Sequence, residues 1–458
     1  MKRLIISLCA ISMLFGACKK EKEDDSKNEP INQCIYDIMD IYYLWNRNMP
    51  ARRKLDFKQS PDKFFENLLY KPNEVDIWSY ISNDSEALED DLEGTPYSMG
   101  YSPQFQLYDE GGKYVLIIVQ HVYPNTPAER AGLKRGDIIL DINGTPLTPD
   151  NYIELYTLQN STYSLGVYDP VSNTLDLSGV ELTMSAERIE ADPSAFDTIY
   201  YVGNKPVGYY AYLAFTTGDK YIPSMDAVFD RFKAAGVKDM ILDLRYNGGG
   251  SIDAAGHLAS AIAPANVVNN HEVLVSFIYN DLLTNAFRGY EDENLYRFPD
   301  NSHNADIENL YVLGTSGTAS ASELVTVGLK PYMNVTLVCE YTYGKYTGMI
   351  VFDSEDKEYA DLENWAIAPI VMKYANAVGY TDFVDGLVPD IYVEDDGLYL
   401  GYPLGCPDDP MIAAALDRIN GLPLTAKAAH RKLPFKYLGG TPSLAGNNLI
   451  INGLKVNK

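Results

Sequence analysis

Residues 317–324 place a serine where a nucleophile is commonly exposed. The segment reads Gly-Thr-Ala-Ser-Ala-Ser-Glu-Leu, follows a short predicted strand at 310–313 and opens a helix. Ser320 therefore lies on a strand-to-helix turn, where free backbone N–H groups and the helix dipole can stabilise a developing oxyanion. The alternative is structural, because Ser320 and Glu323 also match an S-x-x-E capping box, in which the serine only caps the helix.

A lysine follows that serine by 25 residues. Lys345 lies in the loop of residues 341–348, after a predicted strand at 335–339. A lysine accepts a proton only in its neutral form, and burial favours that form. The alternative is an exposed loop lysine, which is the commonest environment for this residue type. The loop tyrosines are expected to form a low-dielectric wall around the amine: Tyr341, Tyr343 and Tyr346.

Residues 243–250 form a third candidate functional segment. They read Asp-Leu-Arg-Tyr-Asn-Gly-Gly-Gly at the end of a predicted buried strand. Three consecutive glycines leave backbone amides uncovered and permit the dihedral angles that an anion-binding nest requires. The turn can therefore supply half of an oxyanion hole, and its alternative is a flexible turn before the next helix. A phosphate-binding loop is not indicated, because the chain has no GxxxxGK[ST] pattern.

Upstream of these segments, residues 94–187 have the pattern of a β-rich domain. Residues 126–144, Thr-Pro-Ala-Glu-Arg-Ala-Gly-Leu-Lys-Arg-Gly-Asp-Ile-Ile-Leu-Asp-Ile-Asn-Gly, resemble the same stretch of PDZ domains. Such domains bind a C-terminal carboxylate on backbone amides and add the peptide to a sheet edge as a strand. The candidate peptide-binding loop precedes a strand at 104–107, and a plain entry loop is an equal alternative. Its residues are Tyr97, Ser98, Met99, Gly100 and Tyr101.

Taken in this order, the segments resemble the S41 peptidases, the C-terminal processing or tail-specific proteases. The resemblance extends from the PDZ-like region to residues 385–390, Asp-Gly-Leu-Val-Pro-Asp. It implies a serine endopeptidase with a Ser/Lys dyad, in which Ser320 is the nucleophile and Lys345 the general base. The substrates would be proteins or peptides, cleaved near C-termini that the PDZ domain presents.

The same resemblance assigns the oxyanion hole and excludes cofactors. The donors would be the amides of Ala321 and Gly249, with Gly248 as the less favoured glycine. The chemistry implied for the family requires no metal, nucleotide or other cofactor. The five histidines are scattered and no HExxH or CxxC is present, so the sequence itself indicates no metal site either.

One position departs from the family pattern. Better-known members carry a glutamine four residues after the lysine, where this chain has Met349. The group that orients Lys345 is therefore open, with Thr347 or a tyrosine hydroxyl as candidates. The departure motivates a rival interpretation, a catalytically weak or inactive relative that binds peptides. A second rival is an acyl-CoA enzyme, since the S41 core resembles the crotonase fold, but the export signal described next argues against it.

Residues 1–17 have the pattern of a lipoprotein signal peptide. Lys2 and Arg3 precede an apolar stretch of about 12 residues, too short for a bilayer core of roughly 30 Å. Gly-Ala-Cys follows, so Cys18 is the predicted lipidation site and residues 18–30 form a polar tether. The alternative is an ordinary cleaved signal. We expect a lipid-anchored protein of the bacterial cell envelope, facing the periplasm or cell surface, similar to Bacteroidetes-type lipoprotein members of the family.

Composition and charge fit a globular protein that does not bind nucleic acid. The chain has 458 residues, 46% of them apolar, and a net charge of −26, whereas nucleic acids need a basic surface. A lipid anchor would be its only link to a membrane.

The predicted fold is an α/β (α+β) multidomain protein. The first unit, residues 31–93, is a small N-terminal helical domain that ends in an acidic linker at 84–93. A PDZ-like β-rich domain at 94–187 follows. The resemblance implies a crotonase/ClpP-like ββα protease core at 195–425, and residues 426–458 form an unassigned C-terminal tail.

Overall fold

The structure of this chain is a computed structural model. It describes residues 27–72, 74–108, 112–169, 172, 174–399, 401–422, 435–439 and 449–450. The predicted signal peptide and Cys18 lie outside the described residues. Within those ranges, no helix has both the length and the apolar composition that a membrane span requires.

The N-terminal region is helical, as the apolar spacing predicts. Ile35 and Met39 lie on the buried face of the first helix. A proline in its first turn starts the second helix, and Phe64 and Phe65 of that helix are buried in the main core. The elements of this region are α1 (Asn28–Tyr42), α2 (Pro61–Glu66), β1 (Tyr80–Ser82) and α3 (Ser85–Leu92).

The predicted acidic linker at 84–93 is wrong, because most of this segment is helix α3. The Asp84 side chain accepts a hydrogen bond from the Ala87 amide at 3.0 Å and so caps the helix. Leu88 and Leu92 are buried on one face, while the acidic side chains lie mainly on the other. The high charge belongs to the outer face of an amphipathic helix.

The PDZ-like region is a sheet with two short helices. The Glu129 amide donates to Thr126 Oγ1 at 3.4 Å, and Gly132, at φ +90°, ends that helix. Asn143 and Gly144 form a tight turn, in which both residues have positive φ. The elements are β2 (Tyr97–Ser98), β3 (Tyr101–Tyr108), β4 (Tyr114–Val122), α4 (Pro127–Ala131), β5 (Ile138–Ile142), β6 (Thr145–Pro146), α5 (Tyr152–Tyr156), β7 (Asn160–Asp169), β8 (Thr174–Ser185) and β9 (Glu187–Arg188).

The core contains two six-stranded sheets with helices packed against them. Helix α6 (Ile222–Ala235) buries four apolar residues that recur at helical spacing, and Gly236 lies at its end. The elements are β10 (Ser194–Val202), β11 (Lys205–Tyr212), α6 (Ile222–Ala235), β12 (Asp239–Asp243), β13 (Gly250–Ser251), α7 (Ile252–Ile262), α8 (Ala265–Asn269), β14 (Val273–Tyr279), α9 (Asp281–Ala286), β15 (Leu295–Arg297), β16 (Asn309–Gly314), α10 (Ala321–Leu329), β17 (Asn334–Cys339), β18 (Thr347–Met349), β19 (Ala366–Ala368), β20 (Ile370–Asn376), β21 (Ile391–Tyr392), α11 (Asp396–Tyr399) and α12 (Pro410–Ile419).

Two further strands come from the C-terminal tail, which the sequence left unassigned. They are β22 (Phe435–Gly439) and β23 (Leu449–Ile450). The PDZ-like sheet has the order β22-β3-β4-β5-β7-β8, with β6 paired to β5. The two core sheets have the orders β10-β11-β12-β16-β17-β21 and β13-β23-β18-β20-β14-β15.

The first core sheet brings the predicted site segments to one edge. Strands β12, β16 and β17 are parallel neighbours, so the loops that follow their carboxyl ends lie side by side. Those loops are the glycine turn, the Ser320 turn and the Lys345 loop. Strand β11 ends at Tyr212, and Phe215 beyond it bridges Gly250 in the glycine turn.

Candidate active site

Ser320 lies at the start of α10 in a strained backbone conformation. Its φ is +59° and its ψ −111°, a region that non-glycine residues rarely adopt and that costs of order 1–3 kcal/mol. The Ser320 amide donates to Glu323 Oε2 at 2.8 Å, which is the glutamate half of the capping box. Ser320 Oγ has no hydrogen-bond partner among the described residues. The backbone of Ser320 is therefore held at the helix N-terminus, beside the Ala321 amide.

Lys345 is fully buried in the loop after β17. Burial lowers the pKa of its amine to about 7, although the charges of Asp76 and Glu323 act to raise it. The predicted tyrosine wall is wrong for two of its members, because Tyr341 and Tyr343 are exposed to 50% and 36%. Lys345 itself has no solvent exposure, so groups other than these two rings must bury the lysine.

Glu323 joins the serine turn to the lysine loop. Its Oε2 accepts hydrogen bonds from the amides of Ser320 at 2.8 Å and Lys345 at 2.9 Å. Its Oε1 accepts from Thr342 Oγ1 at 2.5 Å and from the Gly344 amide at 2.8 Å. Burial raises the pKa of Glu323, while these four donors oppose that shift. One buried carboxyl group thus fixes both backbone segments. The sequence motif had indicated only that Glu323 caps the helix.

Tyr374, on β20, forms a second link between the two residues. Its hydroxyl lies 3.0 Å from the carbonyl oxygens of both Ser320 and Lys345. Thr347, the other candidate for orienting the lysine, has no hydrogen-bond partner for its hydroxyl in the described part of the chain. Met349 is buried in an apolar cluster with Trp78 and Ile370. The methionine is therefore a core residue, and the lysine loop is positioned by other groups.

Asp76 brings the N-terminal region into the site. It accepts hydrogen bonds from Tyr43 Oη at 2.6 Å and from the amides of Trp78 at 3.2 Å and Ser79 at 2.9 Å. It is almost fully buried, and of the two carboxylates that raise the Lys345 pKa it has the larger influence. No motif marks Asp76 in the sequence, so only the fold reveals its proximity to the lysine.

The glycine turn is fastened to the serine turn through Asn247. The Asn247 carbonyl accepts from the Ala319 amide at 3.2 Å and from Ser322 Oγ at 2.9 Å. Its side-chain oxygen accepts from the Gly249 amide at 2.9 Å. Gly249, the preferred oxyanion donor from the family resemblance, is thus already engaged. Gly248, the less favoured glycine in the sequence analysis, lines the adjacent cavity.

A cavity of about 430 Å³ connects the PDZ-like loop to the glycine turn. Tyr97, Ser98 and Met99 line one end, and Gly248 and Gly250 line the other. Gly100 does not line it, but its φ of +87° and close packing on Thr126 shape the loop. The sequence-predicted peptide loop and the predicted oxyanion turn therefore face one continuous space.

His121 also lines this cavity, and sequence reasoning did not identify it. Neither ring nitrogen has a hydrogen-bond partner among the described residues. Burial, together with the nearby charge of Arg135, lowers the pKa of His121 to about 3. The imidazole is therefore neutral at neutral pH, with one ring nitrogen as a donor and the other as an acceptor.

Comparisons with known proteins match three regions of the chain. The model for "Peptidase family S41" matches residues 207–393, and that for "Peptidase S41 N-terminal domain" matches residues 30–80. A PDZ domain model matches residues 118–159. The chain belongs to peptidase family S41. A catalytically weak or inactive peptide-binding relative would have the same fold, so this rival interpretation stays open.

Named relatives in this family are C-terminal processing peptidases. The chain is 26% identical over 308 residues to the chloroplastic C-terminal processing peptidase of Tetradesmus obliquus, covering 64% of this chain and 59% of that protein. It is 27% identical over 304 residues to the carboxyl-terminal-processing protease of Synechocystis, covering 65% and 63%. The matched part thus spans about three-fifths of these relatives' length.

A solved structure supports the fold over most of the chain. A candidate S41 protease from Bacteroides fragilis superposes with a TM-score of 0.68 and 28% identity. The match covers 84% of this chain and 97% of that one. The N-terminal helical region, the PDZ domain and the S41 core therefore form one recurring arrangement.

Proposed function

We propose that this chain is a serine endopeptidase in which Ser320 is the nucleophile and Lys345 the general base. One observation carries the proposal: Glu323 binds the amides of both residues, and the lysine beside that strained serine has a pKa of about 7. At neutral pH a large fraction of the amine is uncharged and can accept a proton. An ordinary surface lysine would be almost entirely charged there.

The reaction follows from these positions. Ser320 Oγ attacks a peptide carbonyl while the Lys345 amine takes the hydroxyl proton. The oxyanion receives hydrogen bonds from the Ala321 amide at the start of α10 and from Gly248 in the glycine turn. The protonated lysine then gives its proton to the leaving amine. A water molecule, deprotonated by the same lysine, hydrolyses the acyl-enzyme and restores the serine.

The PDZ domain is proposed to present substrate C-termini to this site. The shared cavity supports the proposal, because a peptide held at Tyr97, Ser98 and Met99 can extend within one space to the glycine turn. Peptides with free and amidated C-termini separate this role from a plain loop. Equal KM values for the two would contradict carboxylate recognition.

The location of the enzyme is proposed from the sequence alone. The signal peptide pattern and the cysteine at position 18 favour a lipid anchor in the bacterial cell envelope. The mass of the protein extracted from membranes tests this, since an unmodified N-terminus would contradict it.

Digestion of a denatured protein mixture tests the catalytic proposal. The full-length enzyme is expected to create new termini, and Ser320→Ala to lower their rate of appearance by roughly four orders of magnitude or more. Ser316→Ala is the matched control, because Ser316 is an exposed serine of the preceding loop and should leave the rate unchanged. Full activity of Ser320→Ala would contradict the assignment, and inactivity of the wild type would favour the peptide-binding rival.

A further inference from the structure

The lysine loop has an exposed face as well as a buried one. On the buried side, the Thr342 hydroxyl donates to Glu323 and accepts from the Leu387 amide at 2.7 Å. Tyr341 and Tyr343, on either side of Thr342 in the sequence, have exposed side chains. The loop therefore contacts the catalytic elements with one face and presents two aromatic residues to solvent with the other.

Residues 384–388 lie against this loop and add two exposed valines. A Cβ atom on Gly386 would come within 2.1 Å of the Thr342 carbonyl oxygen, so the two backbones are in direct contact. Val384 and Val388, which flank that contact in the sequence, are exposed. The valines and the tyrosines therefore share the outer surface of two touching segments.

A neighbouring strand completes this surface. Strand β21 runs parallel to β17, with Tyr392 opposite Cys339, two residues before Tyr341. Neighbouring strands lie about 4.8 Å apart, so Tyr392, whose side chain is exposed, lies beside the start of the lysine loop. Contiguous exposed apolar surface commonly marks an interaction site. We call this surface the outer patch, and its members are Tyr341, Tyr343, Val384, Val388 and Tyr392.

The outer patch is joined directly to the serine turn. The Tyr343 amide donates a hydrogen bond at 2.9 Å to the carbonyl oxygen of Thr318, two residues before Ser320. Behind the patch, the Phe383 ring packs against Tyr374 with centroids 6.0 Å apart. The Tyr374 hydroxyl in turn donates to the Ser320 carbonyl oxygen at 3.0 Å. A polypeptide bound on the patch would therefore lie next to the turn that carries the nucleophile.

The outer patch and the peptide cavity lie on opposite sides of the serine turn. Part of the first core sheet has the strand order β12-β16-β17-β21. The glycine turn follows β12 and borders the cavity, and the serine turn follows β16. The patch belongs to the loop after β17 and to the segment that leads into β21. A peptide whose C-terminal part occupies the cavity therefore directs the residues before its scissile bond towards the patch.

Acidic side chains border the outer patch. Between β20 and β21 the chain has no lysine or arginine. Asp385 and Asp390 in this segment, and Glu394 just beyond β21, are exposed. Lys373 on β20 is already paired with Asp382 at 2.8 Å. The patch therefore attracts cationic side chains, which can also stack over exposed tyrosine rings, and it repels anionic ones.

We propose that the outer patch is an exosite for the part of a protein substrate that precedes the scissile bond. The favoured segment has aromatic or aliphatic side chains next to lysine or arginine, because such a segment matches both the apolar surface and its acidic border. This inference rests on the proposed peptidase function. It adds a substrate class and the direction in which the substrate crosses the site.

Peptide binding to the full-length Ser320→Ala protein tests the exosite without requiring catalysis. Two fluorescent peptides share an uncharged C-terminal half with a free carboxylate, and their N-terminal halves contain Lys-Val-Tyr-Lys or Glu-Val-Tyr-Glu. Fluorescence anisotropy should show about tenfold tighter binding of the lysine peptide. A third peptide, with Lys-Val-Tyr-Lys in its C-terminal half instead, should lose this advantage. Equal Kd values for the first two peptides would overturn the exosite, and equal values for the first and third would overturn the direction.

A charge reversal in the Ser320→Ala background assigns the preference to the patch. Asp385→Lys should remove most of the advantage of the lysine peptide, because it replaces an attractive charge by a repulsive one. Glu308→Lys makes the same change in net charge at an exposed residue just before β16, at the other end of the sheet, and should preserve the advantage. Equal effects of the two substitutions would show that only the overall charge matters and would overturn the proposal.

A second pair of substitutions tests the apolar part of the patch. Val388→Ser should weaken binding of the lysine peptide about threefold, because apolar contact area is lost. Val180→Ser, at an exposed valine of β8, should leave the Kd unchanged. Unchanged binding in both variants would contradict an apolar contact at this surface.

The wild-type enzyme separates the exosite from the peptidase function. A lower KM for the lysine peptide than for the glutamate peptide, with similar kcat, supports both. Cleavage of the two peptides with equal KM would overturn the exosite and leave the peptidase function standing. A binding preference that depends on Asp385, without cleavage of any peptide or denatured protein, would support the patch as a peptide-binding surface and overturn the peptidase function instead.

Discussion

Two basic side chains, Arg245 and Lys345, are fully buried in the core, but their pKa values shift in opposite directions. Arg245 makes ion pairs with Asp243 at 2.7 Å and with Asp395 and Asp409 at 2.8 Å. Burial alone would lower the pKa of Arg245, yet these carboxylates raise it well above its usual value. For Lys345 the balance is reversed, and burial lowers the pKa to about 7 against the charges of two carboxylates.

The contrast separates a structural cation from a candidate base. Arg245 fixes the end of β12, α12 and the segment before α11 in one charged network, and its charge is permanent. Lys345 is held through its backbone by Glu323 and Tyr374, so its amine need not be charged to hold the loop. The buried ion pairs of Arg245 therefore hold parts of the fold together, whereas burial of Lys345 favours a neutral amine that can accept a proton.

The largest expected effect comes from removing the candidate base. Lys345→Met should lower kcat/KM by roughly three orders of magnitude or more, because the serine loses its proton acceptor. The free energy of unfolding should not fall by more than about 1 kcal/mol, since a buried amine is replaced by an apolar side chain of similar length. Peptidase assays and chemical denaturation measure the two quantities. Lys330→Met, at an exposed lysine, should change neither quantity. A large loss of stability in Lys345→Met would contradict the distinction between Lys345 as a candidate base and Arg245 as a structural cation.

Removing Arg245 should mainly lower stability, whereas removing Lys345 should mainly lower activity. Arg245→Met leaves three buried carboxylates without their partner, which should lower the free energy of unfolding by about 3–5 kcal/mol. Chemical denaturation measures the loss. Arg231→Met is the control, because Arg231 forms a half-exposed ion pair with Asp197 whose loss should cost about 1 kcal/mol or less. Equal effects of the two variants would show that burial adds nothing to the Arg245 network.

The smallest effect concerns the charge that acts on the lysine. Asp76→Asn removes the larger of the two influences that raise the Lys345 pKa, so that pKa should fall further. The rise of activity with pH should then begin at a lower pH, by roughly one unit. The pH profile of kcat/KM measures this shift. Asp37→Asn, at an exposed aspartate of α1, should leave the profile in place, and an upward shift in Asp76→Asn would contradict the proposed electrostatics.

The order of the site segments was predictable from the sequence, because motif and spacing reflect loops at one edge of a parallel sheet. The boundaries of β5 and the end of α6 at Gly236 were also predictable, since local turn and cap residues determine them. The segment at 84–93 was misjudged because charge density alone does not show that two leucines share a buried face.

The remaining features depend on contacts between distant residues. Asp76 reaches the lysine only through packing of the N-terminal region on the core, which no local pattern records. Glu323 matched a cap motif, but its bonds to the loop 19–22 residues later require the folded chain. Strands β22 and β23 join their sheets through backbone pairing, and backbone groups are the same in every sequence.

The most direct test of the account is the pH dependence of fluorophosphonate labelling, with the modified residue located by mass spectrometry. A reactive serine next to a lysine with a pKa of about 7 should be labelled faster as the pH rises, with a midpoint near that value. The account predicts labelling of Ser320 with this profile and none in Ser320→Ala. Labelling of another serine, or a rate independent of pH between 5 and 9, would contradict it.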